Sequence, residues 1–183
     1  FVSISVMPLL LMPKAQAVLA ASVNCPFPQH ITYASGTIKP NTSSQFALDN
    51  DVRAFYEQWK SDYVLSVGNA PNGKPLYRIA NIPDNPNHSY SEGTGYGMMI
   101  VALMAGHDPD AHTIFDGLWR FLRQHQSKYD GRLMAWAVTP ADAPGNTDSA
   151  FDGDDAIAYG LILANLQWGD SADYNYTNEA HTV

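Results

Sequence analysis

Residues 90–98 read Tyr90-Ser91-Glu92-Gly93-Thr94-Gly95-Tyr96-Gly97-Met98, a carboxylate set among three glycines where a helix is about to begin. The helix that follows carries Met98, Met99, Ile100, Val101, Leu103 and Met104, and a helix apolar nearly all round has to be buried. It is predicted to run from Ser91 to a stop at Gly106, a glycine terminator. Each glycine inside a helix costs roughly 1 kcal/mol against alanine. Something must compensate for three of them, and close approach of a ligand or another helix to bare backbone is the usual reason. Two roles are open for Glu92. It can complete a capping box with Ser89, returning a bond to the Ser89 backbone, or it can be free for chemistry. A phosphate-binding loop fits poorly, because no Gly-Lys-Ser/Thr follows and no strand precedes.

Upstream, Val52, Phe55, Tyr56 and Trp59 recur at helical spacing and predict a helix over residues 45–62, with Asp49, Asn50 and Asp51 as candidate caps. Residues 65–89 are crowded with Gly68, Pro71, Gly73, Pro75, Pro83 and Pro86 and read as one long loop, of the sort that often lines a binding cleft. Residues 24–43, rich in Pro, Thr, Ser, Asn and Gly, form an ordered lead-in. Downstream, Ile114, Leu118, Phe121 and Leu122 make one stripe and Arg120, Arg123 and Gln124 another, predicting an amphipathic outer helix from Asp110 to about Lys128. A second buried helix should begin at Gly153 and carry Ile157, Leu161, Ile162 and Leu166 to Trp168-Gly169, and another starts around residues 173–180. Buried and amphipathic helices therefore alternate. No run of period-two strands stands out, so the fold class is mainly α.

A second motif, Asp148-Ser149-Ala150-Phe151-Asp152-Gly153-Asp154-Asp155-Ala156, puts a carboxylate cluster at the head of that second buried helix. Asp152 capping the helix, with acids in its first turn favoured by the macrodipole, is a purely structural account. Calcium is a rival, but the acids do not follow the EF-hand order, which needs glycine at the sixth position and glutamate at the twelfth. Two carboxylates delivered by two buried helices also suit acid/base hydrolysis of a glycosidic bond. One group must then be protonated, whereas a helix N-terminus favours the ionised form. A catalytic Glu92 therefore needs apolar burial or a neighbouring acid, and the Asp152–Asp155 cluster can supply that charge.

Composition narrows the function. A length of 183 residues suits one domain. The formal charge of −8 leaves no basic face for phosphates, which argues against nucleic acid and anionic membranes as partners. A single cysteine, Cys25, allows neither an intrachain disulfide nor a thiolate metal cluster. Aromatic residues make up 11%, and flat rings suit the apolar faces of sugars as well as a core. The apolar stretch Val6-Met7-Pro8-Leu9-Leu10-Leu11-Met12, followed by Ala15-Gln16-Ala17, reads as the end of a signal peptide. A spanning helix would need about 20 apolar residues without the Pro8 and Pro13 breaks. Secretion or periplasmic export is the expectation. Phe1 in place of methionine, and a last helix that starts just before Val183, suggest a chain truncated at both ends.

At its two motifs the sequence resembles glycoside hydrolase family 8, which includes endoglucanases, lichenases, chitosanases and xylanases. Pro26-Phe27-Pro28, Gly36-Thr37-Ile38-Lys39-Pro40-Asn41, Asn50-Asp51-Val52, the Trp59 helix, Leu133-Met134-Ala135-Trp136 and residues 150–168 look like family landmarks in family order. The resemblance implies an (α/α)6 barrel, present here as its N-terminal portion. Residues 1–22 would be the remnant of a secretory signal peptide and residues 23–183 the N-terminal part of a single catalytic domain. It also implies an inverting mechanism in which Glu92 donates a proton to the glycosidic oxygen and Asp152 contacts and distorts the sugar. Trp136, Tyr96 and Asp154 would bind substrate, Trp136 by stacking beside the cleft, although a core role for that ring stays open. The general base would come from beyond Val183, leaving a chain of this length inactive on its own. No cofactor, metal or oligomeric state is implied.

The chain departs from the family pattern where Ala150-Phe151-Asp152 replaces Ala-Ser/Thr-Asp and where Asp155-Ala156 follows Asp154, which opens the role of Asp155. The expected substrate is a cellulose-like or mixed-linkage β-1,4-glucan. Chitosan is the alternative, a polycation that an acidic cleft would attract. A lyase or phosphorylase on another α-barrel would share the helical alternation but not the Ser91–Met98 string. A secreted glycan-binding protein that kept the cleft would bind and not cleave.

Overall fold

The structure, a computed structural model, describes residues 26–183 apart from 33, 42, 171 and 172. The expected signal segment, residues 1–22, lies outside the described residues. Five helices carry the fold: α1 (Gln45–Tyr63), α2 (Ser91–Leu103), α3 (Ala111–Gln124), α4 (Phe151–Trp168) and α5 (Tyr176–Thr182). The mainly α class holds. No described helix is long and apolar enough to cross a membrane.

α1 begins where Ser44 Oγ accepts the Ala47 N–H at 3.2 Å, so the cap is Ser44. The expected caps at Asp49–Asp51 lie inside the helix instead. Asp49 is buried there, accepting from Gln45 and paired with His30 at 2.6 Å. Of the α1 stripe, Tyr56 is buried and Trp59 packs against the core, while Val52 and Phe55 stay exposed.

The expected loop over residues 65–89 contains a hairpin. β1 (Val64–Asn69) follows α1 without a break and pairs antiparallel with β2 (Pro75–Ile79), in the register Val64↔Ile79, Leu65↔Arg78 and Ser66↔Tyr77. Gly68 and Gly73, both at positive φ, let the chain reverse between them. The hairpin lies on α3, and it explains a second difference. Arg120, placed on the outer stripe by its spacing, is only 7% exposed because its guanidinium donates to the Pro75 carbonyl at the start of β2. Arg78 is buried too, donating to the carbonyls of Pro86 and His88 and so fastening the segment before α2.

α2 and α4 pack on each other through small residues. A Cβ at Gly95 would stand 2.6 Å from Ala156 Cβ and 2.9 Å from the Ile157 nitrogen, and one at Gly160 would stand 3.0 Å from Met98 Cβ. The contacts step along both chains in the same direction, so the two helices run parallel with their N-termini side by side. Met98, Val101, Phe115, Leu118, Ile157 and Leu161, all buried, fill the core between α2, α3 and α4. Neither α2 nor α4 is covered all round: Leu103, Tyr159, Ile162 and Leu166 are each about half exposed, leaving one face of each helix open among the described residues. α2 ends at Leu103 rather than Gly106. The glycine at 106 instead admits the Phe27 carbonyl, which a Cβ would meet at 2.4 Å.

Candidate active site

The heads of α2 and α4 are joined by extended backbone. β3 (Ser89–Tyr90) and β4 (Ala137–Val138) form a two-residue antiparallel ladder, Ser89↔Val138 and Tyr90↔Ala137. The pairing continues past it: Ser91 N–H donates to the Trp136 carbonyl at 3.0 Å, and Trp136 N–H donates to the Asp148 carbonyl at 2.7 Å. The segment entering α2, the Trp136 segment and the segment entering α4 therefore lie side by side. Gly153 completes the join, because a Cβ there would stand 2.0 Å from Ser91 Oγ and 2.8 Å from the Glu92 nitrogen. Glu92 and Asp152, 60 residues apart in sequence, flank this contact at two adjoining helix N-termini, whose partial positive charge favours anions.

The capping box of Ser89 and Glu92 does not form, and Asp152 is not the N-cap of its helix, although it does satisfy one first-turn N–H. α2 is capped at Tyr90 without a side-chain bond, and Ser89 Oγ donates to the Ile79 carbonyl at 2.7 Å. The exposed carboxylate of Glu92 accepts from Tyr96 Oη at 3.0 Å, one helical turn on. α4 starts from Ala150, and Asp152 Oδ1 accepts the N–H of its neighbour Gly153 at 2.9 Å while remaining exposed. The hydrogen bond to Glu92 and its charge, with some burial and the charge of Asp152, push the Tyr96 hydroxyl above its ordinary value.

Trp136 sits beside these acids with 45% of its surface exposed. One face stacks on Tyr90, ring centres 5.5 Å apart and planes 24° from parallel, and Tyr90 in turn stacks on His88 at 6.2 Å. Tyr96 is 49% exposed. Asp154 is set differently: it is 6% exposed and its Oδ1 accepts the Met134 N–H at 3.2 Å. Burial pushes its carboxyl above the usual value, opposed by the Met134 bond and reinforced by the charge of Asp152. The structure thus brings Glu92, Tyr96, Asp152 and Trp136 to one exposed edge and places Asp154 beneath it, holding the segment that carries Trp136. Asp155 is exposed on the same turn of α4. Sequence reasoning missed Tyr90 and His88. Their signal was two rings spaced two apart, directly before the glycine-rich string. A cavity of about 410 Å³, lined by Phe27, His30, Ile31, Asp49, Leu103 and Met104, lies at the far end of α2, about 16 Å from Glu92 by helical rise, and contains none of these residues.

Comparison with known proteins identifies the family. The family model for glycosyl hydrolases family 8 matches residues 25–183. An endoglucanase of Bacillus sp. (strain KSM-330) is 44% identical over 164 residues, covering 86% of this chain and 35% of that protein. A beta-glucanase of Niallia circulans is 43% identical over 157 residues, covering 85% of this chain and 37% of that protein. The apo structure of a beta-1,3-1,4-glucanase from Paenibacillus sp. X4 superposes with a TM-score of 0.74 at 43% identity, over 86% of this chain and 40% of that one. The chain therefore spans somewhat over a third of the length of the relatives it matches. Its helices form part of the (α/α)6 barrel of these structural neighbours, and the chain belongs to glycosyl hydrolases family 8.

Proposed function

We propose that the complete gene product is an exported, endo-acting hydrolase of a β-1,4-linked polysaccharide, a cellulose-like or mixed-linkage glucan, working by inversion. The observation that carries this reading is the Gly153–Ser91 contact, which sets Glu92 and Asp152 at two adjoining helix heads, both exposed and neither the N-cap of its helix. In this mechanism the proton of Glu92 passes to the glycosidic oxygen as the C1–O bond breaks. Water bonds to C1 from the opposite face, losing its proton to a base that the family resemblance puts past Val183. Asp152 contacts and distorts the sugar at the cleaved bond. Trp136 offers its free face to a neighbouring sugar ring, Tyr96 borders the same edge, and Asp154 reaches the substrate only through the Trp136 segment. The open faces of α2 and α4 are where the remainder of the barrel packs. The names of the relatives, an endoglucanase, a beta-glucanase and a beta-1,3-1,4-glucanase, support a glucan as substrate. The apolar stretch before Ala15-Gln16-Ala17 supports export.

The test is reducing-end release by the complete protein from β-1,4-glucan, mixed-linkage glucan, xylan and chitosan, with the anomer of the first product read by NMR. Cleavage of a glucan with an α-anomer appearing first is the expected result. Preference for chitosan or xylan would move the substrate, a β-anomer first would overturn inversion, and glycan binding without cleavage would make the protein a lectin.

A further inference from the structure

Tyr96 has a backbone clamped from both sides. Its two chain neighbours are glycines pressed against other elements: a Cβ at Gly95 would stand 2.6 Å from Ala156 Cβ, and one at Gly97 2.5 Å from the Ile79 side chain. Two residues earlier, Thr94 Oγ1 donates to the Tyr90 carbonyl at 2.9 Å and fixes the start of the helix. The direction in which the Tyr96 ring leaves α2 is therefore set by packing, and its hydroxyl donates to Glu92 Oε1 at 3.0 Å. Residues four apart on a helix face one another, so this bond needs no rearrangement.

We infer that Tyr96 is a positioning residue for the acid: by occupying Glu92 Oε1 with a donated hydrogen bond, it leaves Oε2 as the oxygen that carries and delivers the proton. This rests on the reading of Glu92 as the general acid. A carboxyl oxygen that already accepts an O–H bond is the poorer place for a proton, because the acid would then set two hydrogens against each other. The tyrosine also stays a donor across the working range, since the bond to Glu92 and the charges of Glu92 and Asp152 disfavour loss of its proton. Donation is stronger to a carboxylate than to a carboxylic acid, so the bond also favours release of the proton once the glycosidic oxygen is in place.

The role differs from substrate binding in what it controls, and Tyr96→Phe in the complete protein separates the two. Removing the hydroxyl should lower kcat about tenfold with KM within about twofold, the size expected from one charge-assisted hydrogen bond. A rise in KM at unchanged kcat would make Tyr96 a substrate contact and overturn the proposal, and so would unaltered kinetics. Phenylalanine fits without new contacts because the ring is half exposed, and an unchanged thermal midpoint checks the fold. Glu92→Gln is assayed in parallel. If it retains activity, the reading of Glu92 itself fails. If it is inactive while Tyr96→Phe changes only KM, that reading stands and the positioning role falls.

Discussion

Gly153 lies so close against Ser91 that a Cβ on it would stand 2.0 Å from Ser91 Oγ and 2.5 Å from Ser91 Cβ, with the Glu92 nitrogen 2.8 Å away. The blocking atoms include backbone, which cannot swing aside as the tip of a flexible side chain can. The glycine in the acidic motif is therefore what allows the serine of the glycine-rich motif to approach. Side by side, the two helix heads form a single acidic edge. Gly93, in contrast, has nothing among the described residues within 4 Å of where its Cβ would stand.

These two glycines predict opposite outcomes. Gly153→Ala should destabilise the complete protein by roughly 1–3 kcal/mol through overpacking and separate Asp152 from Glu92. Gly93→Ala should stabilise it by up to about 1 kcal/mol, since alanine is the better helix former and meets no neighbour among the described residues. Urea unfolding of the two variants beside the parent reads both signs. Equal effects would mean that the two helix heads do not touch.

Trp136→Ala should weaken glucan binding while leaving the fold intact, because nearly half the ring is already exposed. The expected change is a rise in KM of about tenfold, equivalent to about 1.4 kcal/mol, with kcat within about twofold. Steady-state kinetics on a soluble glucan check it. A large loss of stability without change in KM would assign the ring to the core instead.

Asp154 should make stability depend on pH in an uncommon direction. Its folded carboxyl is raised above the ordinary 3.8. The stability linked to it is fully present below that value and is lost as pH rises through the raised one. Asp154→Asn keeps an acceptor for the Met134 N–H without a charge, so it should gain on the parent as pH rises from about 3 to 7. Asp154→Ala leaves that buried N–H unpaired and should cost about 1–3 kcal/mol. Thermal midpoints of the three proteins across that range carry the test.

Asp108 should behave in the opposite way. It lies between α2 and α3 and accepts from Tyr56 at 2.5 Å and Lys60 at 2.7 Å, tying α1 to that turn. Burial raises its carboxyl, but the bonds from Lys60, Tyr56 and the Asp110 N–H outweigh burial and hold it below 3.8. Its contribution is present above that value and is lost as pH falls through the lower folded one. The advantage of the parent over Asp108→Asn, about 1–3 kcal/mol at neutral pH, should shrink as pH falls toward about 2. A gap that stays constant with pH would contradict the ion pair.

The helices were legible because their signals are local. The apolar runs after Glu92 and Asp152 and the stripe of α3 mark α2, α4 and α3 within a few residues of their observed limits. The β1–β2 hairpin was not. Gly68, Pro71, Gly73 and Pro75 read as a loop, and the pairing of Val64 with Ile79 depends on a partner 15 residues away. Missing the hairpin also hid the burial of Arg120, whose neighbour is the Pro75 carbonyl. At the site, residue types were readable but not their engagement. The spacing of Ser89 and Glu92 fits a capping box, and only the Ser89 bond to Ile79 and the Tyr96 bond to Glu92 decide against it. Similarly, Asp154 looks equivalent to Asp152 along the chain, yet two residues on a helix is a turn of some 200°, which sends one carboxylate outward and the other to Met134.

The most direct test of the acidic edge is the rate of reducing-end release from mixed-linkage glucan by the complete protein and by its Glu92→Gln variant. Loss of kcat by about 100-fold or more, with KM retained, is the result expected for removal of a general acid. A variant that keeps more than about half the parent rate would contradict the account, and the proton donor would then have to be sought away from the paired heads of α2 and α4.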